Sequence, residues 1–241
     1  MNNSQTKRGD SILSFNKEYI TEFVYGGIDG VVTTFAVVAG AAGANADVVY
    51  VLIFGFANLI ADGFSMSVGS FFSTKTQREN FEKHKAIAYR KVDYSNGSNA
   101  QEILEIYRSK GFSGQMLEDV VSVITNNRDV WVDTIMKEEL EMIKDEKTPF
   151  RTGLATFLSF FFIGLIPLIS YVLAMFINIR ESYLFPISII ATSVGLILIG
   201  YLKSCVTEKN PWMAILETVL LGGLAAFLAY FVGEILGKYL L

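Results

Sequence analysis

The chain has one cysteine and one histidine in 241 residues, and it has no lysine or arginine between residues 23 and 72. The lone Cys205 excludes an internal disulfide framework and a thiolate metal cage within one chain. His84 lacks the E-x-x-H partner of a bundle carboxylate centre and reads as a surface histidine. There is no nucleophile–base motif, no phosphate-binding glycine loop and no cofactor fingerprint, so nothing points to an enzyme. Residues 1–22 are polar, and no short apolar stretch precedes a small-residue cleavage site. The first apolar run is therefore expected to serve as its own insertion signal.

What is present is a sharp partition. Half of the residues are apolar and the mean hydropathy is positive. These averages combine two nearly cation-free apolar territories, 23–72 and 153–236, with a charged stretch at 73–152. A hydrocarbon core of roughly 30 Å needs about 20 apolar helical residues. The apolar territories divide at polar or helix-breaking segments into five such runs, near 23–43, 48–72, 154–178, 184–204 and 213–236. A soluble all-α protein is disfavoured because GLATFLSFFFIGLIPLISYVLAMFI has no polar face at all. The expected fold class is an all-α integral membrane protein with a helical insert between its second and third spans. The expected organisation is an N-terminal segment at 1–22, spans 1–2 at 23–72, a metal-binding insert at 73–152 and spans 3–5 at 153–241.

Cations set the expected orientation. Lys7, Arg8 and Lys17 precede the first span, thirteen Lys and Arg lie between Lys75 and Arg151, and Lys203 and Lys209 flank the end of the fourth span. Only Arg180 and Lys238 fall on the other side. The positive-inside rule places the N-terminus and the insert in the cytoplasm.

The insert reads as helical. STKTQRENFEKHKAIAYRKV continues the second span without a breaker, and YSNGSN then forms a turn. AQEILEIYRSKG follows, with Ser98 and Gln101 spaced for a capping box and Gly111 placed to end it. SGQMLEDVVSVITNN and RDVWVDTIMKEELEMI repeat the amphipathic spacing. Acids and bases are about balanced, so nucleic acid is not an expected partner. Three i,i+3 pairs each share one helix face: Glu79 with Glu82, Glu102 with Glu105, and Met136 with Glu139. Converging faces would form a carboxylate-rich cage edged by a thioether, suited to Fe²⁺ or Mn²⁺. Taken singly, acidic pairs of this spacing are common on solvated helices.

Polar residues also interrupt the apolar runs. Asp29 lies in the first third of the first span between Gly27 and Gly30, where an aspartate costs around 2.5–3.5 kcal/mol on insertion scales. It must face protein, water or a cation. In the second span Asn58, Asp62 and Met66 follow at four-residue steps along one stripe, with Gly55, Gly63 and Gly69 among them as at close helix contacts. A packing reading, in which Asn58 and Asp62 satisfy each other or cap a neighbouring helix and Met66 fills an apolar core, stands beside the pathway reading. One chain offers too few donors for a full transition-metal shell, and a twofold homodimer would double Asp29 and Met66.

Assembled in this order, the residues resemble the vacuolar iron transporter family of plants, fungi and protists, with relatives in bacteria and archaea. The resemblance covers most of the chain. It is carried by YGGIDGVVTTFAVVAGAAGA, GFANLIADGFSMSVGSFFSTKTQRE, DVWVDTIMKEEL and FIGLIPLISYVL. It implies a homodimer of five-helix protomers that exports Fe²⁺ from the cytosol in exchange for protons, between paired first and second helices. By position in the motifs, Asp29 is similar to the family's pore aspartate and Met66 to its pore methionine. Glu79, Glu82, Glu102, Glu105, Met136 and Glu139 fall where the family's cytoplasmic domain gathers metal. Ser70 departs from the pattern, because the family commonly places an acid after the glycine corresponding to Gly69.

The resulting expectation is a multi-pass membrane transporter with no tightly bound cofactor. Its partners are divalent metal ions, protons, the bilayer and a second copy. It would sit in a vacuolar membrane if eukaryotic and in an inner membrane if prokaryotic. The rival of a different class is a membrane-anchored metal sensor or store without net transport.

Overall fold

A computed structural model describes residues 18–94 and 100–240. The segment 1–17, most of the YSNGSN turn and the Ser98 cap lie outside the described residues. Secondary structure is helical throughout: α1 Ile20–Gly43, α2 Val48–Tyr94, α3 Ala100–Ser109, α4 Gly114–Thr125, α5 Arg128–Thr134, α6 Pro149–Gly164, α7 Ile169–Ala174, α8 Glu181–Thr207 and α9 Pro211–Leu240. Among the described residues, five helical stretches are long and apolar enough to cross a membrane: α1, α2, Pro149–Ala174 (α6 with α7), α8 and α9. The chain divides into two compact units. One takes in residues up to Phe72 and from Lys147 onward, and the other is Ser73–Glu146.

In the first unit the helix ends follow local chemistry. Helix α1 stops where Asn45 takes a left-handed φ of 53°, a conformation Asn tolerates better than most residues. The third span differs from an uninterrupted helix over 154–178. It is α-helical to Gly164, tightens into a 3₁₀ turn at Ile166–Leu168, and resumes as α7 only to Ala174. Pro167 causes the break, since it has no N–H to donate and its ring disfavours a straight helix. Its own carbonyl is not orphaned, because the Ser188 hydroxyl of α8 donates to it at 2.6 Å. The Ser170 hydroxyl likewise donates to the Leu184 carbonyl at 2.9 Å, so the broken span is tied to α8 at two points.

Glycines fix how α1 lies against α6. A Cβ at Gly26 would stand 2.6 Å from the Thr156 carbonyl oxygen, and one at Gly30 would stand 2.4 Å from that of Phe160. Backbone cannot yield as a side chain can, so this face of α1 admits only glycine at this separation. Asp29 neighbours that contact without being part of it and is only half-buried. The unit's core gathers Val38, Val51, Leu59, Phe160, Leu168 and Leu184. Among the α2 glycines, Gly55 and Gly63 back onto Leu168 and Phe160 respectively, whereas Gly69 meets nothing within 4 Å.

Helix α2 runs 47 residues without interruption, as its lack of a breaker implies. At 1.5 Å per residue that is about 70 Å, more than a hydrocarbon core requires. The second unit packs α3, α4 and α5 around Phe81, Ile103, Leu117, Val121, Trp131 and Ile135. Each such side chain contributes about 1.5–3 kcal/mol relative to exposure. Asn127 caps α5 by accepting from the Asp129 and Val130 amides. Arg128 grips the Asp93 carboxylate through two nitrogens, at 2.6 and 2.7 Å, and lies 4.3 Å from the centre of the Tyr89 ring. That hydrogen-bonded ion pair lowers the Asp93 pKa from its ordinary value. Helix α5 then widens into a π turn, Ile135–Glu139, the kind of helical irregularity often found at functional sites.

Candidate functional site

Two places hold the residues singled out by the sequence, one in each unit. In the first unit, the Asn58 amide of α2 reaches the Thr33 and Thr34 hydroxyls of α1 at 3.5 and 3.4 Å. Helices α1 and α2 are consecutive and antiparallel, so a step of four residues forward on α2 matches four backward on α1. That register sets Asp62 level with Asp29. Met66 falls one further turn along, level with Tyr25, and packs partly against the unit's core.

Neither carboxylate has a hydrogen-bond or ion-pair partner among the described residues. The Thr33 hydroxyl spends its proton on the Asp29 backbone carbonyl at 2.8 Å. Asp62 is exposed on the surface of α2, between the exposed Ile60 and Phe64. Asn58 is thus turned to the neighbouring α1 and does not satisfy Asp62. Ser70 accepts a hydrogen bond at 3.1 Å from Thr156, which places the family's departure point in a contact between spans.

In the second unit the three acidic pairs do not meet at one point. Among the described residues no group of three or more His, Cys, Asp and Glu converges as a metal cage. Glu79 and Glu82 are exposed on α2, and Glu79 lies 3.8 Å from Lys75. Glu105 is exposed on α3, and Met136 is buried in the unit's core at 1% exposure. Glu102 and Glu139 are brought together, through a lysine that spacing alone did not single out. The Lys91 ammonium is 2.6 Å from Glu102 and 3.2 Å from Glu139. Burial works against this ammonium, but the two carboxylates outweigh it and its pKa is raised. The adjacent Glu138 is held separately by Lys110. His84 bonds only to the Asn80 carbonyl of its own helix, at 2.9 Å.

A comparison with known families decides what these sites belong to: the sequence profile of the VIT family matches residues 20–234. The chain belongs to the VIT family. It is 31% identical over 229 residues to the vacuolar iron transporter of Plasmodium berghei (strain Anka), covering 92% of this chain and 84% of that protein. The Toxoplasma gondii (strain ATCC 50861 / VEG) vacuolar iron transporter is 32% identical, covering 92% and 75%. Vacuolar iron transporter 1 of Eucalyptus grandis is 29% identical, covering 88% and 84%. Membership in this family, together with the five apolar helices, makes the chain an integral membrane transporter and not an enzyme.

Two functional candidates lay outside the expected metal ligands. Asp62 already stood on the stripe with Asn58 and Met66, and the α1–α2 register is the signal that raises it. Lys91 had no sequence signal, because its partners lie 11 and 48 residues away.

Proposed function

We propose that this VIT family member moves Fe²⁺, with Mn²⁺ as the close alternative, out of the cytosol in exchange for protons, working as a twofold homodimer. The observation that carries the reading is the pair of unpartnered carboxylates, Asp29 and Asp62, at one level of two spans. An unpaired charge at such depth costs several kcal/mol unless something compensates it. A divalent cation does so for both at once. The relatives are vacuolar iron transporters, which supports iron as cargo and the vacuole as destination.

The exposed position of Asp62 supports the homodimer. A carboxylate on the outer surface of a span is not tolerated by lipid, so that face of α2 meets a second copy or a water-filled path. A twofold axis there gives each level two copies of Asp29 and Asp62. Met66, one turn away along α2, offers a softer donor than oxygen, disfavouring Ca²⁺ and Mg²⁺ relative to Fe²⁺.

Sites one helical turn apart let the ion pass on without being held. When it leaves, facing carboxylates in a dry path repel each other. Taking up a proton relieves that repulsion, and returning it on the cytosolic side completes the exchange. The dispersed glutamates of the second unit, Glu79, Glu82, Glu102, Glu105 and Glu139, serve together to attract cations on the cytoplasmic side. Their loss would weaken uptake at low metal and leave the maximal rate.

The direct test counts ions. Purified protein in liposomes, supplied anaerobically with labelled Fe²⁺, accumulates iron well beyond a fixed number of ions per protomer. Saturation at a fixed stoichiometry, with no entry, would establish a membrane-anchored store instead.

A further inference from the structure

Helices α2 and α6 face each other along stripes of matched helical spacing. Phe64, Phe71 and Phe72 on α2 and Phe150, Leu154 and Phe157 on α6 line an open groove of about 440 Å³. The helices come into backbone contact at Gly153, where a Cβ would stand 2.8 Å from the Ser67 carbonyl oxygen, and the larger side chains around that contact wall the groove. Among the described residues that line it, only Ser67 has a polar side chain.

A water held in such a place needs two to four polar partners. One hydroxyl does not supply them to a volume that takes on the order of ten waters at about 30 Å³ each, so the groove suits hydrocarbon. From Phe64 to Phe72 it follows α2 for roughly 12 Å, close to half of a hydrocarbon core of about 30 Å and thus to the depth of one leaflet. It ends at Phe72, the last α2 residue of the first unit, and at Phe150 in the first turn of α6. The exposed Arg151 follows Phe150 at that margin. A second copy is not the natural occupant. Phe64 and Phe71 lie roughly 200° and 180° around α2 from Asp62, so a copy placed against Asp62 leaves this face to lipid.

We propose that the α2–α6 groove is a binding site for one phospholipid, with an acyl chain between the phenylalanines and the phosphate at Arg151. The charge is complementary: a guanidinium matches phosphate oxygens in planar, forked geometry. Arg151 already has an interaction within the chain, and its five donors leave capacity for a phosphate beside it. Its apolar stem lies along hydrocarbon while its head stays at the polar margin. An anionic headgroup gains more from this charge than a zwitterionic one, whose own cation offsets the attraction.

The test is native mass spectrometry of the full-length protein, stripped of endogenous lipid in detergent and titrated with dioleoyl phosphatidylglycerol or dioleoyl phosphatidylcholine. Wild type is expected to hold one phosphatidylglycerol per protomer about fivefold more tightly than phosphatidylcholine. Leu154 is 42% exposed, so Leu154→Trp fills the groove without disturbing the core. It should weaken phosphatidylglycerol binding about tenfold or more, as expected from displacing about two methylenes. Arg151→Gln should bring the two lipids to equal affinity. Phosphatidylglycerol bound by Leu154→Trp as tightly as by wild type would overturn the site. Equal affinity for both lipids in wild type, or an unchanged preference in Arg151→Gln, would overturn the placement of the phosphate at Arg151. A change of oligomeric state in Leu154→Trp would give the groove to a second copy and overturn the lipid reading. Thermal unfolding serves as the folding control. If Leu154→Trp fails to fold, Val68→Phe narrows the same groove from α2, with the same expected loss.

Discussion

Replacing Asp29 with Ala reduces divalent-metal flux to the protein-free background while the protein still folds and reaches the membrane. The carboxylate sits on α1 beside the glycine face that packs on α6, so its removal leaves the Gly26 and Gly30 contacts with Thr156 and Phe160 intact. Helix geometry, the Asn58 bridge to Thr33 and Thr34, and the unit's core are equally untouched. What is lost is a negative charge where a dehydrating cation needs one. Two unit charges about 4 Å apart interact by about 4 kcal/mol at an effective dielectric of about 20. In a twofold assembly that loss occurs twice at the same level. Asp29→Asn should be as inactive as Asp29→Ala, since charge and not bulk is required. Full flux in Asp29→Ala, measured in liposomes with protein content matched, would remove Asp29 from the mechanism.

Asp62→Asn produces the second-largest effect. It is expected to weaken metal uptake at low concentration by about tenfold or more, consistent with losing about 1.4 kcal/mol or more of cation binding. The variant keeps the size and polarity of the side chain. Asn is also a better resident of a lipid-facing helix surface than Asp, so if Asp62 played no part its replacement would leave flux unchanged and stabilise the protein. Loss of flux together with unchanged or raised thermal stability identifies a residue retained for transport. Wild-type flux in Asp62→Asn would place Asp62 outside the path.

Much of the membrane architecture was legible because it follows from composition. Cation-free apolar runs of the right length and polar breaks between them locate five spans to within a few residues. The third span ends at Ala174 and not near 178, because Pro167 breaks the helix and a short 3₁₀ turn intervenes. Asp29 and the Asn58–Asp62–Met66 stripe were visible as charges and periodicity. Their pairing across helices was not. It depends on the α1–α2 register, which the Asn58 contact with Thr33 and Thr34 marks.

The second unit was less readable for a general reason. An i,i+3 spacing says which residues share a face and says nothing about what that face meets. Met136 turned into the core with Trp131 and Ile135, while Glu139, three residues later, reached Lys91. The π turn at Ile135–Glu139 contributes to that outcome, because it widens the helix where an α spacing was assumed. Lys91 met Glu139 across 48 residues of sequence, a separation at which no local pattern operates.

The central claim is exchange of a divalent metal for protons, and the most direct measurement is paired flux in liposomes carrying an internal pH dye. Fe²⁺ is supplied outside under anaerobic conditions, with the interior acidic in one set and neutral in the other. Fe²⁺ entry is expected to be faster into the acidic interior and to be accompanied by proton exit, with both lost in Asp29→Ala. Fe²⁺ entry at the same rate into both, without any change in internal pH, would contradict proton exchange and leave a passive metal pathway.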